Sequence, residues 1–197
     1  MNESWINEKD RELLQASAAG NHEAFRLLVE KYQRNVFQIC LGFVREPHDA
    51  EDLTQDVFFQ IYKNAGRFQG KSRVSTWIYR IAANRSMNRL RYRRAREWLQ
   101  FYGGASTSDN PVSQVADRCE NPDTLLERRQ RQELVRKALQ RLPSSQRVAL
   151  ILHSVEGIPH EEIACIAGCS VSAVESRIHR ARLSLREHLV HVAKKGA

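Results

Sequence analysis

Apolar residues recur at three- and four-residue intervals along most of the chain, and strand-like alternation is nearly absent. The pattern predicts helices over about 8–19, 22–44, 48–64, 74–98, 123–141, 144–155, 160–167 and 171–193, with glycines and prolines gathered between them. One gap is longer. Residues 102–122, "YGGASTSDNPVSQVADRCENP", are rich in Gly, Ser, Asn and Pro and have no period, the composition of a linker. The expected fold is all-α: two small helical domains, residues 1–98 and 123–197, joined by a flexible acidic linker over 99–122.

The C-terminal pattern is the most specific. Pro159 suits a helix start, where its missing N–H costs nothing, and Glu161 and Glu162 suit the positive end of that helix. Gly168 permits the positive φ of a tight turn. Beyond it, Val171, Val174, Ile178, Ala181, Leu185, Leu189 and Val192 form a helical stripe about 90° wide. Ser172, Ser176, His179 and Arg180 lie opposite, flanked by Arg177, Arg182 and Arg186. Small polar and basic groups on the outer face of a second helix are what a major-groove reader needs, so the segment predicts a helix-turn-helix with 171–193 as recognition helix. Glu175 is out of place there, because an acid repels phosphate. It either completes a capping box, Ser172-Ala173-Val174-Glu175, or accepts a hydrogen bond from a cytosine amino group.

Charge sharpens this division. The net charge of +8 splits into +5 over residues 1–97, −4 over 98–127 and +7 over 128–197, two basic units around an acidic middle. Six arginines fall between 85 and 96 with no acid among them. They continue a helix carrying Trp77, Tyr79 and, one turn apart, Asn84 and Asn88. Aromatics can stack on unpaired bases, asparagine can read a base edge, and arginine can neutralise backbone. Trp77, Ile78 and Ile81 are expected to pack the core. Helix 49–64 differs: Leu53, Val57 and Ile61 face inward, while Asp52, Gln55, Asp56 and Phe59 spread over other faces. An acidic helix is a poor DNA surface and a fair protein-docking one.

The longest apolar run, Val148 to Leu152, is far short of the roughly 20 residues of a membrane span. The polar N-terminus lacks the order of a secretion signal, which predicts a cytoplasmic protein. The four cysteines, at 40, 119, 165 and 169, suit reduced thiols better than a disulfide framework. His153, His160, Cys165, Cys169 and His179 are close enough in sequence to raise the question of zinc, but Cys165 and Cys169 fall beside the apolar turn and His179 on the DNA face. No nucleophile–base pair or phosphate loop is visible. The expectation is no metal, no cofactor and no catalysis.

Three stretches in order, "DAEDLTQDVFFQIYKNAGRF", "STWIYRIAANRSMNRL" and "LPSSQRVALILHSVEGIPHEEIACIAGCSVSAVESRIHRARLSLREHL", resemble the extracytoplasmic-function class of bacterial sigma factors, in the sigma-70 family. The resemblance covers roughly residues 10–98 and 123–190. It implies that the first domain binds core RNA polymerase, with Asp52, Gln55 and Asp56 at the docking positions. It implies that Lys71 to Arg91 captures and melts the −10 promoter element, through Lys71, Arg73, Trp77, Arg80, Asn84, Arg85, Asn88 and Arg91. The last domain would read the −35 element with Ser172, Glu175, Ser176, Arg177, His179 and Arg180. Control by an anti-sigma factor is implied too, with no direct membrane insertion. Two positions depart from the family pattern: 175, usually basic, is Glu, and 170, often Pro, is Ser.

Overall fold

The computed structural model describes residues 3–44, 46–103, 122–154 and 157–195. Among them every regular element is helical. Helices α1 (Glu3–Ala18), α2 (His22–Leu41), α3 (Pro47–Asn64) and α4 (Val74–Gly103) build the N-terminal half, with a short 3-10 turn at Ala65–Arg67. Helices α5 (Pro122–Arg141), α6 (Ser144–Ser154), α7 (His160–Ala167) and α8 (Val171–Lys195) build the C-terminal half. Most of the expected linker, residues 104–121, lies outside the described residues, as does Cys119.

The local sequence explains the helix ends. Asn21 caps α2, its side-chain oxygen accepting from the Ala24 N–H at 3.1 Å. Pro47 sits in the first turn of α3 after an extended Glu46. Gly168 closes α7 in the left-handed region, φ 61° and ψ 44°, as the tight turn requires. Three ends differ from expectation, one of them the start of α1, at Glu3 rather than about residue 8. Helix α2 stops at Leu41, because Gly42 to Val44 turn back and donate to carbonyls of its last turn. Helix α4 runs past 98 to Gly103, since no helix breaker precedes the Gly-Gly pair.

In the N-terminal half, Leu28, Val36 and Ile39 of α2 meet Val57 and Ile61 of α3 and Ile78 and Ala82 of α4, all essentially without solvent contact. Helix α1 is fastened by Leu14 and by Asp10, a buried carboxylate that accepts from Lys31 Nζ at 2.6 Å and from the Tyr32 hydroxyl. In the C-terminal half, Leu142, Val148, Leu152, Ile163, Val174, Ile178 and Ala181 form the core. The two halves also touch. Helix α4 packs on α6 and α7, and the buried apolar residues form one continuous cluster. At Gly42 the approach is so close that a Cβ would lie 2.3 Å from Ile151 Cδ1, so any larger residue there must displace the Ile151 side chain. A 290 Å³ cleft remains at this seam, lined in part by Tyr32, Arg73, Tyr79, Ile158 and Glu162.

Candidate nucleic-acid interface

Helices α7 and α8, joined at Gly168, form the expected helix-turn-helix. Val174, Ile178 and Ala181 are buried, and Val171, Leu185, Leu189 and Val192 are half-buried. That anchors the opposite face outward, where Ser172, Glu175, Ser176, His179 and Arg180 are exposed and Arg177 is half-buried. Arg177 Nη1 lies 3.2 Å from Cys169 Sγ, and Arg180 Nε donates to the Ser176 carbonyl at 3.2 Å. The capping-box reading of Glu175 is overturned. Helix α8 starts at Val171, and Ser170 caps it, accepting from the Ala173 N–H at 3.2 Å. Glu175 lies a full turn inside the helix, too far from the first N–H groups to serve them. Its carboxylate instead lies 3.7 Å from His160 Nδ1, at the start of α7.

His160 in turn rests against His153, ring centroids 5.1 Å apart. Desolvation, then the nearby Arg182 and His160, hold His153 below the usual imidazole range. This cluster ties α6, α7 and the recognition helix together.

The second basic surface is α4 and the loop before it. Asn84, Asn88, Arg89 and Arg91 are exposed along one side, with Arg85 half-buried among them. Lys71 and Arg73 stand exposed in the loop. That loop is held from α1: Arg11 Nη2 donates to the Gly70 carbonyl at 3.1 Å, and Asn7 Oδ1 accepts from the Val74 N–H at 3.2 Å, capping α4. Trp77 is half-buried with its ring 5.4 Å from Phe68, and Ile78 and Ile81 pack inward as expected. Tyr79 does not fit its expected role in base stacking. It is 3% exposed, and its hydroxyl accepts from Asn35 Nδ2 at 3.0 Å in the core.

The first turns of α4 are also covered by the other half of the molecule. Glu162 of α7 accepts from Thr76 Oγ1 at 2.6 Å and pairs with Arg73 Nη1 at 3.0 Å. Arg80 Nη2 donates to the Cys165 carbonyl at 2.7 Å. Thr76 and Glu162 are 86 positions apart, and nothing in the sequence pairs them. Glu162, placed by the sequence at the positive end of its own helix, also neutralises Arg73 of the other basic surface.

Helix α3 presents a different chemistry. Asp52, Gln55, Asp56 and Phe59 are exposed on it, and Lys63 Nζ sits 4.3 Å over the Phe59 ring. His48 Nδ1 lies 3.6 Å from Asp52 Oδ1. A backbone hydrogen bond and then that carboxylate raise the imidazole above its usual range. Of the cysteines, Cys40 is buried, and burial pushes its thiol up. Cys165, expected against the apolar turn, is exposed instead, because Ile163, Ala164 and Ile166 take the inward positions of α7. No group of His, Cys, Asp and Glu able to hold a metal occurs among the described residues.

Known proteins resemble the whole arrangement. Family models of sigma-70 region 2 and sigma-70 region 4 match residues 28–96 and 132–185 respectively. The chain is 34% identical over 190 residues to the RNA polymerase sigma-H factor of Pseudomonas aeruginosa, spanning 92% of this chain and 94% of that one. It is 31% identical over 173 residues to the ECF RNA polymerase sigma-E factor of Escherichia coli K12, spanning 88% and 90%. Among solved structures, CnrH in complex with the cytosolic domain of CnrY superposes with a TM-score of 0.67 at 25% identity, covering 93% of this chain and 98% of that one. The sigma factor RpoE of Bartonella quintana, in complex with the anti-sigma factor NepR, superposes with a TM-score of 0.63 at 25% identity, covering 84% and 96%.

Proposed function

The chain belongs to the extracytoplasmic-function class of sigma-70 factors, and on that premise we propose how its surfaces divide the work. It binds core RNA polymerase and directs promoter-specific initiation under the control of an anti-sigma factor. The exposed face of α3, with Asp52, Gln55 and Asp56 around Phe59, docks on polymerase. Lys71, Arg73, Trp77, Arg80, Asn84, Arg85, Asn88 and Arg91 engage the −10 element. Ser172, Glu175, Ser176, Arg177, His179 and Arg180 engage the −35 element. Residues 1–98 and 123–197 act as two units at the promoter, joined by an acidic segment whose first residues, to Gly103, continue α4, and the protein works in the cytoplasm as an initiation factor rather than a catalyst.

The observation that carries this reading is the separation of chemistries. Two basic helical faces lie on two different halves of the molecule, and the exposed side chains of α3, Asp52, Gln55, Asp56 and Phe59, are acidic, polar and aromatic where those of α4 and α8 are mainly basic. Each half alone offers modest sequence discrimination and salt-sensitive attraction. Tethering the two, and mounting them on polymerase, multiplies their effective concentration at one promoter.

Reversing Asp52 and Asp56 together to Lys tests the docking assignment. Affinity for core polymerase should fall at least about tenfold, with binding to −35 duplex by the same variant unchanged. Unaltered polymerase affinity would contradict the assignment.

A further inference from the structure

Glu175 is an acid on a helix face built for nucleic acid, and the structure removes its simplest explanation. Ser170 caps α8, so the carboxylate has no structural duty at the helix start. Its side chain is 60% exposed, and its nearest basic group is His160 Nδ1 at 3.7 Å. Along α8 it shares a face with Ser172, one turn before, and His179, one turn after, both exposed.

A carboxylate in that position cannot bind backbone, because phosphate repels it at any distance within the Debye length of about 10 Å. It is tolerated only where a donor offsets the repulsion. The major groove offers two exocyclic amines, cytosine N4 and adenine N6. Beside adenine N6 lies N7, an acceptor that would face the second carboxylate oxygen lone pair to lone pair. Beside cytosine N4 lies a C–H. Cytosine is therefore the base the carboxylate fits.

The geometry points to Glu175 as a specificity-determining residue that accepts from a cytosine N4 amine within the −35 element, with His160 as the residue that positions its carboxylate. This deepens the assignment of α8 to the −35 element and rests on it. His160 reaches Glu175 from the first residue of α7 and itself rests against His153, so the carboxylate has a neighbour from a second helix on its side of α8.

The test uses the full chain with core polymerase on a template library randomised across the −35 element. The native protein should favour C·G at one position by roughly 5- to 100-fold. Glu175→Ala should level that position alone. Glu175→Gln should shift it toward A·T, because an amide pairs with adenine N6 and N7. His160→Ala should weaken the cytosine preference at the same position without altering the others, and His160→Gln, which keeps a donor, should restore part of it. A uniform gain in affinity for all sequences with Glu175→Ala, or no cytosine preference in the native protein, would overturn the proposal. Arg180→Ala separates the two levels. If it changes the library profile while Glu175 variants do not, only the cytosine contact fails. If neither changes it, the −35 assignment of α8 fails with it.

Discussion

Arg147 has no solvent exposure, and its Nη2 donates to the carbonyls of Gln140 and Leu142, the latter at 3.2 Å. These carbonyls close α5, so a charged side chain from α6 does there what the chain's own continuation cannot. Replacing it with Ala removes charge-assisted bonds and leaves a void, which should cost about 3 kcal/mol. Urea denaturation of the full chain checks this. A loss below about 0.5 kcal/mol would mean that the carbonyls find water instead. This burial was not legible in the sequence, where "SSQRVAL" places an arginine beside an apolar run with no sign that carbonyls await it. Tyr79 and Cys165 escaped for the same reason. Whether a polar or amphipathic side chain faces the core depends on partners from other helices, and periodicity on one helix does not report them.

The helices themselves were more readable. The stripe from Val174 to Leu189 follows a 3.6-residue period, and burial of one face fixes the other toward solvent, so the outward positions of α8 could be inferred residue by residue. The same logic placed Leu53, Val57 and Ile61 of α3 inside, leaving Asp52, Gln55 and Asp56 out. Gly168 marked the turn because a left-handed residue was needed there. Helix ends were harder. The 3-10 turn at Ala65–Arg67 has too few residues to show a period, and the start of α1 at Glu3 precedes any apolar repeat. The capping of α8 turned on a shift of two positions, from Ser172 to Ser170, that two nearby serines could not settle by pattern alone.

At the scale of the whole molecule, the two halves are closed on each other, and the closure engages two groups assigned to the −10 element, Arg73 and Arg80. Glu162 takes Arg73 and Thr76, and the Cys165 carbonyl takes Arg80. No pattern on a single segment reveals such a contact. The seam combines apolar contacts of α4 with α6 and α7, the close approach of Gly42 to Ile151, and a few polar bonds worth about 1 kcal/mol net each. Glu162→Gln and Gly42→Leu attack the seam by charge and by bulk. Gly42 has a helical φ of −66°, so the larger residue meets no backbone penalty and its Cβ presses on Ile151. Both variants should widen the molecule in solution scattering and strengthen binding to unpaired −10 strand. An unchanged radius in both would show that the seam does not hold the halves together. The central claim, that two basic helical units direct a polymerase to a promoter, is tested most directly by run-off transcription with purified protein, core enzyme and a promoter library. The account predicts initiation at selected start sites, sharing −35 and −10 elements at a fixed spacing and absent with core enzyme alone. Binding to duplex DNA without start-site selection would contradict it.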